Sequence, residues 1–169
     1  MSCLGVHFAL SDSEVQVLRE FETDEERLEY LQEVIEEEYL NREDSPPLYA
    51  ESDKAWDAMH RILADGALTW VGGEYPLNHT VLGGEVLYSG DDYIIGLKNA
   101  QQVKDIAKEL IKIEFDWFSI RYRSIDAEDY GFPLEDEDLE YTWEWFQNVR
   151  QLYITAALMD RSILFTADQ

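Results

Sequence analysis

The sequence predicts an α+β fold: a single helix-rich domain over residues 1–169, packed on a small mixed sheet, with a long helix in the C-terminal half. Three observations lead there. Apolar residues recur three or four apart along several stretches, the period of a helix face, while a few short stretches alternate as strands do. The elements run strand, helices, strands, helices, strand, which suits helices packed on a sheet whose terminal strands lie side by side. No internal repeat and no linker divides the chain. A three-layer α/β arrangement is the alternative this order leaves open.

Residues 4–10 alternate, with Leu4, Val6, Phe8 and Leu10 on one side and Gly5, His7 and Ala9 on the other, and read as a first strand. Ser11 and Glu14 have the spacing of a capping box, in which each side chain satisfies the other residue's backbone N–H. Val15, Leu18 and Phe21 give the short helix behind them an apolar side. Thr23 and Glu26 repeat the cap. The next helix reaches about residue 40, with Leu28, Leu31, Ile35 and Tyr39 in one stripe and glutamates opposite. Ser45, Pro46 and Pro47 end it as a loop. A third helix over 53–65 carries Trp56, Met59, His60 and Leu63 on one face, and Asp65-Gly66 stops it. From 67 to 93 glycines and Pro76 punctuate short apolar pieces. Residues 81–88 read as a hairpin turning at Gly83-Gly84, and 93–97 as another strand. Asn99 and Gln102 cap a helix that turns Val103, Ile106, Ala107 and Leu110 inward. Residues 115–123 read as a short helix and 129–133 as a loop. The long helix covers 135–160, its buried stripe formed by Leu139, Trp143, Phe146, Val149, Tyr153 and Ala157 and widened by Trp145 and Leu152. Residues 161–167 close the chain as a strand.

A chain of 169 residues buries roughly 70% of the surface its unfolded form exposes, so it needs neither metal nor disulfide to fold. Its one cysteine, Cys3, excludes an intrachain disulfide and suits a reducing compartment; beside an apolar run, it reads as a buried, inert thiol. The first residues lack a basic leader, and Asp12 and Glu14 break their apolar run. Nothing approaches the ~18 apolar residues of a membrane span, so the expected location is the cytoplasm. Acidic residues number 37 against 13 basic ones, a net charge of −24. Nucleic acid and anionic membranes are held by Lys and Arg, so neither is expected as a partner. A basic protein is favoured by electrostatic steering, and solubility is the plainer account of the same charge.

The best constellation for chemistry joins the third helix to the glycine-rich segment. Asp53, Lys54, Trp56, Asp57 and His60 lie on the helix, and Tyr75, Asn78 and His79 on the segment. A histidine beside a carboxylate can act as acid or base, and Asp57 and His60 are one helical turn apart. The catalytic candidates are therefore His60, Asp57 and His79, with Trp56, Tyr75, Asn78 and Asp53 as candidate ligand contacts. The plainer reading places His60 in the core, on the stripe of Trp56, Met59 and Leu63. No metal site is expected, because His7, His60 and His79 are scattered and no paired-ligand motif exists. The carboxylate runs Glu36-Glu37-Glu38 and 135–138 read as solvated helix faces or helix starts. No nucleophile motif is present, and Cys3 has no candidate partner beyond His7. The glycine pairs lack a phosphate-binding cation, since no Lys or Arg falls between Arg61 and Lys98. No cofactor is expected. Lys104, Lys108 and Lys112, with Arg121 and Arg123 soon after, form the only basic-leaning stretch. It reads as a solvated face, or as a surface that meets an acidic patch of a second copy to make a homo-oligomer.

The run DKAWDAMH, followed by YPLNHTVLGGE, resembles the YfbM-like family of bacterial proteins. The matching positions are Asp53, Lys54, Trp56, Asp57 and His60, then Pro76, Leu77, Leu82 and Gly83. The strand around Gly5 and the later DDYIIGL fit as well, so the resemblance covers nearly the whole chain. It implies a compact domain of helices around a sheet, with no established activity, cofactor or catalytic residue to carry over. Families of this kind are associated with toxin-neutralising loci.

The expected function is therefore a non-enzymatic acidic interaction domain, in its concrete form an immunity-type protein that neutralises a basic toxin. The alternative is a small-molecule enzyme or binder with a pocket between helix 53–65 and segment 70–93; it requires His60 and His79 to face one open pocket. A third reading, DNA mimicry by the acidic runs near 24–38 and 126–140, ranks below both.

Overall fold

The computed structural model describes residues 3–169; the first two residues of the expected domain, and of the stretch read for a leader, lie outside the described residues. Five strands form the sheet: β1 (Gly5–Leu10), β2 (Tyr49–Asp53), β3 (Glu85–Val86), β4 (Tyr93–Lys98) and β5 (Ser162–Asp168), in the order β2-β1-β5-β4-β3. The two terminal strands pair side by side, as expected. Every described pairing is antiparallel, so the sheet is not of mixed direction. A parallel neighbour needs a single helical crossover. Here four helices lie between β4 and β5, and the two strands run antiparallel.

The helices are α1 (Asp12–Glu20), α2 (Asp24–Tyr30), α3 (Glu37–Leu40), α4 (Trp56–Leu63), α5 (Ala100–Leu110), α6 (Phe115–Arg123), α7 (Ala127–Tyr130) and α8 (Asp136–Leu158). All three predicted capping boxes form, at Ser11/Glu14, Thr23/Glu26 and Asn99/Gln102. A π-helical stretch, Leu31–Glu36, joins α2 to α3 in one rod. Its wider turn keeps Leu31, Ile35 and Tyr39 facing the sheet and turns Glu36 toward β4.

Helices lie on both faces of the sheet. On one face Phe8 meets Tyr39 of the rod edge-on, ring centres 5.7 Å apart. On the other His7 and Phe165 meet Tyr153 of α8 and Trp56 of α4. The domain thus has three layers, but the antiparallel sheet makes it α+β rather than regularly alternating α/β. β1 is buried on both sides along most of its length. Gly5 faces Trp56 so closely that a Cβ there would stand 2.7 Å from the indole.

Four local expectations are corrected. Residues 49–53 form β2, so the third helix starts at Trp56 and Asp53 closes a strand. The hairpin pairs β3 with β4, and Gly83-Gly84 precede it rather than turn it. Gly84 is required instead by a positive φ of 81° and by the Leu97 carbonyl oxygen, 2.3 Å from where its Cβ would sit. Residues 127–130 form the single turn α7, and the loop begins at Gly131. The buried stripe of α8 keeps Leu152 as expected and adds Thr142, Thr155 and Ala156, while Trp143, Trp145 and Ala157 are only half-buried.

Candidate functional site

α4 is buried almost all round, which decides the fate of the predicted proton-transfer group. His60 is fully buried. Its Nε2–H donates to the Thr69 carbonyl at 2.8 Å, and its Nδ1 accepts from the Leu82 N–H at 3.4 Å. Both ring nitrogens are thus spent on backbone, stapling the segment after α4 onto the helix. Burial pushes the imidazole pKa down to about 4. Asp57 does not meet His60; it binds Arg61 Nε at 2.6 Å, and Arg61 reaches Asp129 at 2.6 Å. Burial, opposed by Arg61, raises the Asp57 carboxyl above its ordinary range. Trp56 is a core side chain whose indole N–H donates to the Cys3 carbonyl at 3.0 Å. Cys3 itself is half-buried rather than sealed, and burial pushes its thiol up.

His79 is half-buried and donates from Nδ1 to Asn78 Oδ1 at 2.7 Å. Asn78 spends its amide on the Gly72 carbonyl at 3.2 Å, closing the loop. Tyr75 packs edge-on against His79 and donates to Asp105 at 2.6 Å. His60, Asp57 and His79 therefore have separate partners; a cavity of about 720 Å³ does open between the end of α4 and residues 73–77, and Arg61, Leu63, Asp65, Glu74 and Leu77 are among its lining residues.

Two basic side chains, His7 and Lys98, are buried in a way the sequence reading did not anticipate. His7, fully buried, donates from Nε2 to the Thr80 carbonyl at 2.9 Å, and Tyr153 donates to the same oxygen at 2.7 Å. Its Nδ1 has no hydrogen-bond partner among the described residues. Burial, with Lys98 nearby, pushes the His7 pKa down to about 3. Lys98, also fully buried, donates to the Val81 carbonyl and lies over the Phe165 ring.

These imidazoles make stability acid-sensitive. In the unfolded chain both titrate at 6.5, in the fold at about 3 and about 4. Between those values the unfolded state holds more protons, so stability is full above 6.5 and falls as pH drops. Each imidazole should contribute about 1.4 kcal/mol per pH unit. Urea unfolding at pH 7, 6 and 5 should show the decline, and His60→Gln should halve its slope. Unchanged stability from pH 7 to 5 contradicts the burial of both rings.

The cleft that does collect charge lies elsewhere. A groove of about 560 Å³ opens beside β1 and β2, walled on one side by Gln32, Glu36 and Leu40 of the α2–α3 rod. Glu36, Glu51, Asp53 and Asp168 line it, with Tyr93 and Trp145 as aromatic walls. Glu36 accepts from the Tyr93 hydroxyl at 2.7 Å, and burial, aided by Asp168, raises its carboxyl above its ordinary range. Asp168 accepts from the Leu4 N–H at 2.7 Å. Asp53 stands at a positive φ of 47°, opposite the irregularity between Gly5 and Val6. Of the predicted ligand contacts only Asp53 reaches this groove. Its other residues come from elements far apart in sequence, and no motif links them.

The acidic run near 126–140 is committed to the fold in part. Asp126 caps α7, Asp129 binds Arg61, and Asp138 accepts from Tyr122 at 2.6 Å and Tyr130 at 3.1 Å. The basic-leaning stretch divides likewise. Arg121 donates to the carbonyls of Ile62 and Ala64, and Arg123 pairs with Asp136, while the lysines of α5 stay outside. Among the described residues no group of three or more His, Cys, Asp or Glu is placed to hold a metal. No described helix is long and apolar enough to cross a membrane.

Comparison with known proteins agrees with this architecture. The profile of a domain of unknown function, DUF1877, matches residues 1–166. The crystal structure of YfbM from Escherichia coli, a protein of unknown function, superposes with a TM-score of 0.68 at 17% identity, covering 97% of this chain and 99% of that one. No curated protein matches.

Proposed function

This chain belongs to the DUF1877 family, and from that premise we propose that it is a non-enzymatic, cytoplasmic interaction domain that receives a basic protein partner at the acidic groove. The observation that carries the reading is the groove itself, four carboxylates framed by Tyr93 and Trp145 on a chain of net charge −24. The fate of the cations sharpens it. Arg61 and Lys98 are buried, and Arg27, Arg121, Arg150 and Arg161 donate to backbone carbonyls. Much of the positive charge thus holds the fold, and the carboxylates set the outward field, which speeds encounter with a basic surface. An aromatic wall beside carboxylates suits a guanidinium or ammonium group, which gains from both. Nucleic acid and membrane surfaces are not partners on this reading. An immunity-type role is its narrower form, with the carboxylates covering the positive site of a basic toxin. That form expects a toxin gene beside the gene for this chain.

The test uses a fluorescein-labelled nona-arginine peptide read by anisotropy. It should bind at low salt and lose affinity as salt rises. The triple variant Glu36→Gln/Glu51→Gln/Asp53→Asn should weaken it by about tenfold or more, because charge pairs in a partly desolvated cleft outweigh exposed ones. A control neutralising Glu25, Glu29 and Glu33, all exposed on the rod, should change it little. Equal losses from both triples, or no binding at low salt, sink the proposal.

A further inference from the structure

A second surface carries the opposite chemistry. Lys104 and Lys108 stand one turn apart on α5, and Lys112 follows four residues later in the turn just past its end. They border a groove of about 670 Å³ between α5 and the C-terminal part of α8, and Glu109 is the one carboxylate among its lining residues. Its floor is apolar, formed by Ala107, Ile154 and Ala157. Its rim holds Ile111, 63% exposed, and Leu158, 85% exposed, with Met159 adjoining at 48%. Single exposed apolar residues need no explanation, but these are contiguous with a groove and edged by cations.

We propose that this groove docks an acidic amphipathic helix of a partner protein. Apolar side chains at helical spacing would fill the floor between α5 and α8, and carboxylates beside them would meet the lysines. Two of the lysines already hold exposed carboxylates, Lys104 with Asp160 at 2.5 Å and Lys112 with Glu109 at 2.9 Å. Such exposed pairs are weak, so an incoming carboxylate can displace them at little cost. Charge selects the occupant. A two-fold contact between copies would set lysine rows against each other. A contact between this groove and the acidic surface of another copy would be head-to-tail, and would leave free ends unless its rotation closed a ring. The inference is independent of the basic-partner reading, since it concerns another face and a partner of opposite sign.

The test uses the full chain, isotopically labelled, and two synthetic helices of about 18 residues sharing one leucine stripe, one filled in with glutamate and the other with lysine. The glutamate helix should shift the amide resonances of α5 and of residues 154–159. Lys104→Glu/Lys108→Glu/Lys112→Glu should weaken it by about tenfold or more. Leu158→Ser, at a site too exposed to matter to folding, should weaken it too. Three results overturn the proposal. They are no shift at the groove, equal binding of both helices there, and concentration-dependent dimerisation abolished by Leu158→Ser, which would assign the groove to a second copy.

Discussion

Replacing Lys98 with methionine should stabilise the protein at neutral and acid pH, with a gain that shrinks above pH 7 and turns into a loss before the pH reaches 10.5. The amine is fully buried, donates to the Val81 carbonyl, and forms no ion pair among the described residues. Burial pushes its pKa from 10.5 down to about 7. The unfolded chain therefore keeps its proton up to 10.5 while the fold releases it near 7. Between those values the unfolded state binds more protons, and stability rises with pH. Below 7 the whole penalty remains. Integrated over the window, it has an upper limit of about 5 kcal/mol. Methionine has a similar reach and no charge, but it leaves the Val81 carbonyl without its donor, which costs about 1–3 kcal/mol. The expected net gain is roughly 2–4 kcal/mol at pH 6. Urea unfolding of both proteins from pH 6 to pH 10 gives the difference directly, and the titrations of groups that Lys98 does not influence cancel in it. A methionine variant less stable than the parent at pH 6 would show that the charged amine is stabilised in the fold after all.

Lys98 also marks where sequence reading stops. It stands at the end of a strand, next to the Asn99 cap, where a lysine ordinarily reaches solvent. Its burial comes from Val81 and its neighbours folding over the sheet, a contact with no local signature. The capping boxes were legible for the opposite reason: Ser11/Glu14, Thr23/Glu26 and Asn99/Gln102 are closed by residues three apart. The bounds of α6 were legible too. β2 was not, because Ala50 and Ser52 are small and, Tyr49 apart, its residues carry no strong strand preference. Pairing with β1 makes it a strand. The glycine pair was read as a turn because two glycines do favour one, whereas the close Leu97 carbonyl sets the need for Gly84. The stripe containing His60 was legible, and so was the plainer view of that ring as core. The acidic groove was not, since Glu36 sat in a run that reads as a solvated helix face, and only the π-helical stretch turns it toward Tyr93.

Arg61→Met should be among the most damaging single substitutions outside the apolar core, and the reason is the carboxylate it leaves behind. The Arg61 side chain is 5% exposed and that of Asp57 27%. Removing one member of a buried pair costs about 3–5 kcal/mol, because the other charge stays in a poor medium. Here Asp57 keeps some solvent, so a loss of roughly 2–4 kcal/mol is expected. Asp129→Asn, at a side chain 61% exposed, should cost far less although it removes a bond of the same length. The double variant Asp57→Asn/Arg61→Met should recover part of the loss, because no charge is stranded in it. The pH dependence separates this account from simple loss of packing. Burial already holds the Asp57 carboxyl above its ordinary 3.8, and loss of the guanidinium raises it further. A carboxyl raised in the fold takes up its proton there before it does in the unfolded chain, so it adds stability as the pH falls through its folded value. The deficit of Arg61→Met should therefore be greatest near neutrality and shrink toward acid pH, whereas the double variant shows no such trend. A deficit of the same size at pH 7 and pH 4 would mean that Arg61 acts through its contacts with Tyr130 and the backbone, not through the charge of Asp57.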